Sequence, residues 1–220
     1  MMDAMVTRAE SAAVTRRALL DAASDLLDLG GPEAVTLREV GARAGVSRGA
    51  PYRHFTGKDS LLTAIATESW ERVTDQVHSL RTDTGLSASD RLRGALGTLL
   101  AIGRDRPHLY DLLFRRPGRR PEDLDAGLDP VRRRLCGPAG DPAAERMRAA
   151  GRFQGEFTAI VADLVGEQSA RHYGALLLAG AHGIADMELS GHLDPGSLGT
   201  TADELVDTLV RMVANARATT

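Results

Sequence analysis

A chain of 220 residues, 43% apolar and 26% charged, can bury a full core and has the composition of a globular protein. No stretch reaches the roughly eighteen apolar residues of a membrane span, the start lacks the apolar core of a secretion signal, and Cys136 is the only cysteine, so an internal disulfide is excluded and a reducing cytoplasm is expected. The net charge of −3 does not by itself suggest nucleic acid, but its distribution does: between Thr36 and Lys58 five cations stand against Glu39, giving +4 and leaving −7 for the rest.

Residues 1–13 read as a flexible tail. A first helix is predicted over Val14–Leu29, with Ala18, Ala22, Leu26 and Leu29 as its apolar stripe and Gly30-Gly31-Pro32 as its stop. Thr36 and Glu39 have the spacing of a capping box, so a second helix starts at Leu37 and buries Leu37, Val40 and Ala44. Gly45 follows that stripe, where a positive φ ends a helix cheaply, and Ser47 is placed to cap a third helix through Tyr52–Phe55. Pro51 tolerates only the first turn of a helix, which moves the regular start to Gly49 or Ala50. Helix, glycine turn and short basic helix together have the layout of a helix-turn-helix, whose second helix enters the DNA major groove.

A longer helix follows over 58–80, capped by Thr56 with Asp59 and striped by Leu62, Ala66, Trp70, Val73, Val77 and Leu80. Further helices are predicted over 90–104, 107–115, 143–165, 169–189 and 201–216. The Pro-, Gly- and Arg-rich stretch 116–130 reads as an exposed connection, and 131–136 as a short helical segment. No strand pattern or repeat is present. The expected architecture is therefore all-α: a helix-turn-helix domain over 14–57, then a larger helical bundle over 58–220.

Within the basic unit, Arg48 can form a bidentate bond to guanine, while Gly49 and Ala50 let the backbone approach the groove and Ala50 can meet a thymine methyl. Tyr52, Arg53, His54 and Lys58 suit phosphate contacts, Thr36 offers a hydroxyl at a helix start, and Arg38 adds a cation on the same unit. Phe55 is expected in the core. The run Ser47-Arg48-Gly49-Ala50-Pro51-Tyr52-Arg53-His54-Phe55, followed by Lys58-Asp59-Ser60-Leu61-Leu62, resembles the TetR/AcrR family of bacterial transcription regulators. The resemblance covers about 15–66. It implies an all-α homodimer with an N-terminal DNA-binding domain and a C-terminal domain for effector and dimerisation. It also implies phosphate contacts from Tyr52 and Lys58 and base reading at Arg48, Gly49 and Ala50. The segments 106–114 and 181–193 resemble the WHG-type C-terminal domain of some such regulators, although Leu178 and Ala181 stand where its tryptophan would be.

In the body, Ala175, Ala179 and Gly183 recur at i, i+4, i+8, and Leu205, Leu209 and Met212 line the last helix; these are the candidate dimer interface, with intramolecular core as the alternative. Trp70, Tyr110, Phe114, Phe153, Phe157 and His182 are the candidate effector pocket, although core packing is the commoner fate of such groups. His182 and Asp186 share a helix face but lack the further ligands a metal needs, and no cofactor motif is present. The partners expected are double-stranded operator DNA, a second copy of the chain and a small-molecule effector, with no membrane and no cofactor. The function expected is that of a regulator, a repressor released from a palindromic operator by an inducer. Two alternatives stand beside it: a helical enzyme using His182, Asp186 and Glu188 as acid/base groups, and an effector-independent structural DNA binder.

Overall fold

A computed structural model describes residues 8–114, 141–193 and 195–216. Ten helices and no strand are found among the described residues: α1 (Arg8–Ala34), α2 (Leu37–Arg43), α3 (Ala50–His54), α4 (Lys58–Thr82), α5 (Ala88–Asp105), α6 (Pro107–Phe114), α7 (Pro142–Val165), α8 (Glu167–Leu189), α9 (Pro195–Leu198) and α10 (Ala202–Ala216). No helix among them is long and apolar enough to cross a membrane. Cys136, the arginine-rich connection and the short segment 131–136 lie outside the described residues.

The described residues pack as two compact units, one within 1–68 and 111–146, the other within 69–110 and 147–220. In the first, α1, α2 and α3 pack on one another around Leu19, Leu27, Val35, Val40 and Phe55, joined by Leu61, Leu62 and Ile65 from the first turns of α4. The helix α1 begins at Arg8, so residues 8–13, expected as tail, are helical. Its buried face runs through Leu19, Ala22, Ala23 and Leu27, about one position on from the expected stripe, and Leu29 is 72% exposed. Regular geometry ends at Gly30 and Gly31, the latter at φ 68°, where the two glycines and Pro32 were expected to stop it.

The Thr36 hydroxyl accepts the Glu39 N–H at 3.2 Å and opens α2, and Gly45 takes φ 66° after it. The third helix is capped by Gly49 and not by Ser47; the Ser47 carbonyl instead accepts the Ala50 N–H at 2.9 Å in a turn. Pro51 thereby falls in the first helical turn, where its missing N–H costs nothing. At the start of α4, Gly57 bonds to Ser60 through both its N–H (3.1 Å) and its carbonyl (2.8 Å), in place of the expected Thr56–Asp59 cap.

Buried Gly41 on α2 shows why the two short helices cross where they do. A Cβ at that position would stand 2.8 Å from Pro51 Cγ, and the ring cannot move without α3. Helix propensity alone gives Gly41→Ala a gain of ~1 kcal/mol, whereas the clash gives a loss of about 1–3 kcal/mol. The clash should win, so the variant is expected to melt lower and bind DNA less; a raised melting temperature would refute this packing.

The second unit is built on α5, α8 and α10, whose inner faces carry Leu92, Leu96, Leu99, Leu177, Ile184, Val206 and Val210. Arg104 ties the three helices together, reaching Glu188 at 2.8 Å and Asp203 at 3.1 Å. On its other side α7 grips the second half of α4, with Phe153 against Trp70 and Glu156 accepting from Arg81 (2.6 Å) and His78 (3.1 Å). Burial opposes ionisation of Glu156, but those two donors together hold its carboxyl below the usual range.

Candidate nucleic-acid interface

The third helix is five residues long, and its faces divide sharply. Ala50, Pro51 and Phe55 are buried, with the Arg16 guanidinium 5.4 Å above the Phe55 ring. Tyr52 is 63% exposed, Arg53 is exposed, and His54 is half-buried. Arg48 and Gly49 are both exposed in the turn ahead of α3 and are not helical. A Cβ on Gly49 would meet nothing within 4 Å, so the fold itself does not require glycine there. Ala50 is a correction: at 4% exposure it faces the core, because the Pro51–Gly41 contact fixes the rotation of the helix, and its methyl cannot reach a base.

Around this face, Thr36 is exposed with its hydroxyl engaged as a cap, and Arg38 projects from α2. Lys58 opens α4 with its ammonium 3.3 Å from Glu33, and Arg43 is held 3.1 Å from Asp25. Two of these partners escaped the sequence reading. Glu33 and Lys58 are 25 positions apart, and only the Gly30-Gly31-Pro32 break hinted that Glu33 would be turned outward.

The predicted effector residues are divided between the two units, five in the second and Phe114 in the first. Trp70, Phe153 and Phe157 stack in the buried core of the second unit, with centroids 5.1 and 5.9 Å apart. Tyr110 is buried, its hydroxyl 2.6 Å from His182 Nδ1, and Phe114 belongs to the first unit. A cleft of about 590 Å³ between α4 and α5 is lined instead by Gln76, Leu80, Asp83, Thr98, Ile102 and Asp105, among others, and by none of the six.

Burial pushes the His182 imidazole below its ordinary value of 6.5, so the folded state binds fewer protons there than the unfolded chain does. The neutral ring shares one hydrogen bond with the Tyr110 hydroxyl through Nδ1. This stabilisation is complete above 6.5 and is lost as pH falls below it. Melting curves between about pH 7 and 5 should show a smaller fall for His182→Gln than for the parent; equal slopes would refute the assignment.

Of the candidate dimer residues, Ala175, Ala179 and Gly183 form an exposed line on α8, and Met212 on α10 is 66% exposed. Leu205 and Leu209 are half-buried, and a Cβ on Gly180 would stand 2.9 Å from Leu209 Cδ1, so Leu209 partly packs within the chain.

Residues 19–65 match the family described as bacterial regulatory proteins, tetR family, and residues 92–213, more than half of the chain, match the tetracyclin repressor-like C-terminal domain. The chain belongs to the TetR family. It is a transcriptional regulator with a DNA-binding helix-turn-helix. An HTH-type transcriptional repressor of Mycobacterium tuberculosis is 39% identical over 62 residues, 28% of this chain and 33% of that protein. The regulator SrpR of Pseudomonas putida is 40% identical over 57 residues, 26% of this chain and 27% of the relative. The match thus spans a third or less of the length of these curated relatives. A TetR-family transcriptional regulator from Streptomyces coelicolor superposes with a TM-score of 0.60 at 20% identity, covering 94% of this chain and 97% of that one. A protein of unknown function from Rhodococcus sp. RHA1 gives 0.68 at 22%, covering 92% and 94%. At such identities the likeness is one of fold. The groups considered for acid/base chemistry have structural partners, His182 with Tyr110 and Glu188 with Arg104.

Proposed function

We propose that this TetR-family protein is a dimeric repressor that binds a palindromic operator in the cytoplasm and is released by a small-molecule effector. The observation that carries the reading is the two-faced third helix with the turn before it: Ala50, Pro51 and Phe55 anchor the helix while Tyr52 and Arg53 on it, and Arg48 in the turn, are exposed. Arg48 reads a guanine, and open-sided Gly49 lets the backbone come close to the groove. Tyr52, Arg53, His54 and Lys58 hold phosphates, joined by Thr36 and Arg38 at the start of α2. Repression is supported by the Mycobacterium tuberculosis relative, which is described as a transcriptional repressor and is 39% identical over 62 residues.

Two basic units on a two-fold axis suit two half-sites. The exposed apolar line on α8, with Met212 beside it on α10, is the surface for the second copy. For the effector, the cleft that mixes Leu80 and Ile102 with Asp83, Thr98 and Asp105 suits an amphipathic molecule better than the packed aromatics do. Because α4 is one helix from Lys58 to Thr82, a ligand that shifts its second half also moves Lys58. The coupling requires the ligand to prefer one of the two states. A gel-shift titration against the DNA flanking the protein's own gene, with random duplex as competitor, tests the reading. Competitor-resistant binding at one palindrome is expected; binding that competitor abolishes would overturn it.

A further inference from the structure

The cations of the basic unit are not equally available. Arg38, Arg43 and Lys58 each lie within 4.0 Å of a carboxylate, whereas among the described residues Arg48 and Arg53 have no ion-pair partner. The Glu33–Lys58 pair stands apart in what it holds, because Lys58 is the only lysine in the sequence and a proposed phosphate contact. Glu33 is turned outward by the break at Gly30 and Gly31 and by the turn that brings the Val35 N–H to the Pro32 carbonyl at 3.1 Å. Its side chain is 93% exposed, whereas that of Lys58 is 35% exposed, so the more enclosed ammonium is met by a carboxylate coming from solvent.

We infer that Glu33 acts as an internal phosphate mimic: it occupies Lys58 in the free protein and is displaced when a DNA phosphate arrives. The inference rests on the proposed contact of Lys58 with the duplex. An exposed pair of this kind is weak and easily exchanged, so it does not block binding. It lowers the net gain from the Lys58 contact, because a bond must be given up to make one. It also flattens the salt dependence, since the released carboxylate takes a cation back from solution while the phosphate gives one up. Glu33 thus lowers the sequence-independent share of DNA affinity at Lys58 alone, leaving base reading to Arg48.

The test is a double-mutant cycle on the full chain with random duplex across a salt series, using Glu33→Gln, Lys58→Met and the pair. For each basic unit engaged on the duplex, Glu33→Gln should tighten binding about two- to fivefold, the scale of one exposed ion pair, and steepen the log–log salt slope by up to ~0.9. In the Lys58→Met background the same change should have almost no effect. Equal tightening in both backgrounds would reduce Glu33 to general repulsion and overturn the inference. So would no tightening in the parent while Lys58→Met weakens binding. If Lys58→Met leaves binding unchanged, the proposed interface fails as well, a distinct result. A second readout is independent of DNA: beside the chain's amino terminus, acylation of amines reports on Lys58 alone. Its rate should rise in Glu33→Gln, and an unchanged rate would show that the pair does not form in solution.

Discussion

Replacing Arg48 with alanine should weaken operator binding about 30-fold or more, because the dimer loses one bidentate base contact of ~1–3 kcal/mol in each half-site, while leaving affinity for random duplex nearly unchanged. Arg48 sits in the turn before α3, exposed and without an ion-pair partner among the described residues. Its guanidinium therefore gives up no protein contact when it enters the groove. An exposed side chain with no such role is worth little to stability, so the variant should melt like the parent. Arg53→Ala makes the contrast, because a phosphate contact carries no sequence information and its loss should weaken operator and random duplex alike. Titrating both variants against both duplexes separates the two roles. Equal losses for Arg48→Ala on the two duplexes would show that it holds backbone and reads no base.

The helix-turn-helix was legible from the sequence wherever the chemistry is local. The Thr36 cap, the positive φ of Gly45 and the first-turn position of Pro51 each depend on residues within four positions, and each is observed. Most of the stripe of α4 was equally readable: a long helix averages over many turns, and Leu62, Ala66, Trp70, Val73 and Val77 are buried, while Leu80 at its end is half-buried beside the cleft. Rotation of the five-residue α3 was not readable, because one and a half turns contain no periodicity to fix a face. What fixes it is Gly41 meeting Pro51, a contact between two elements, and this turned Ala50 inward. The packing of the aromatic residues was not readable for a related reason. Composition showed them to be scarce, but their large apolar area makes burial against one another the stronger demand, and Trp70 from α4 meets that demand with Phe153 and Phe157 from α7. The Glu33–Lys58 pair depends on how a glycine break redirects the chain, which no spacing rule encodes.

The three glycines of α8 differ in the same way, and the difference selects the second large prediction. Gly180 is filled from within the chain by Leu209, whereas a Cβ on Gly183 would meet nothing within 4 Å. Together with exposed Ala175 and Ala179, Gly183 leaves a shallow apolar line that no side chain of the same unit covers among the described residues. Small residues in such a line allow a second helix to come close, and a helix interior retains glycine at a cost of ~1 kcal/mol relative to alanine. Ala179→Arg places a long charged side chain at the centre of that line. In the monomer it points to solvent and should change stability by less than about 0.5 kcal/mol. Between two copies related by a two-fold axis it would meet its own symmetry mate, burying two like charges. The variant is therefore expected to be monomeric by light scattering at micromolar concentration while keeping its helical content. Losing the tethered second half-site should then weaken operator binding about 10²- to 10⁴-fold, the usual gain from linking two sites. Affinity for a single half-site should stay where it was. A variant that remained dimeric would move the interface off α8, and one that became monomeric without losing operator affinity would show that a single basic unit is enough to read the DNA.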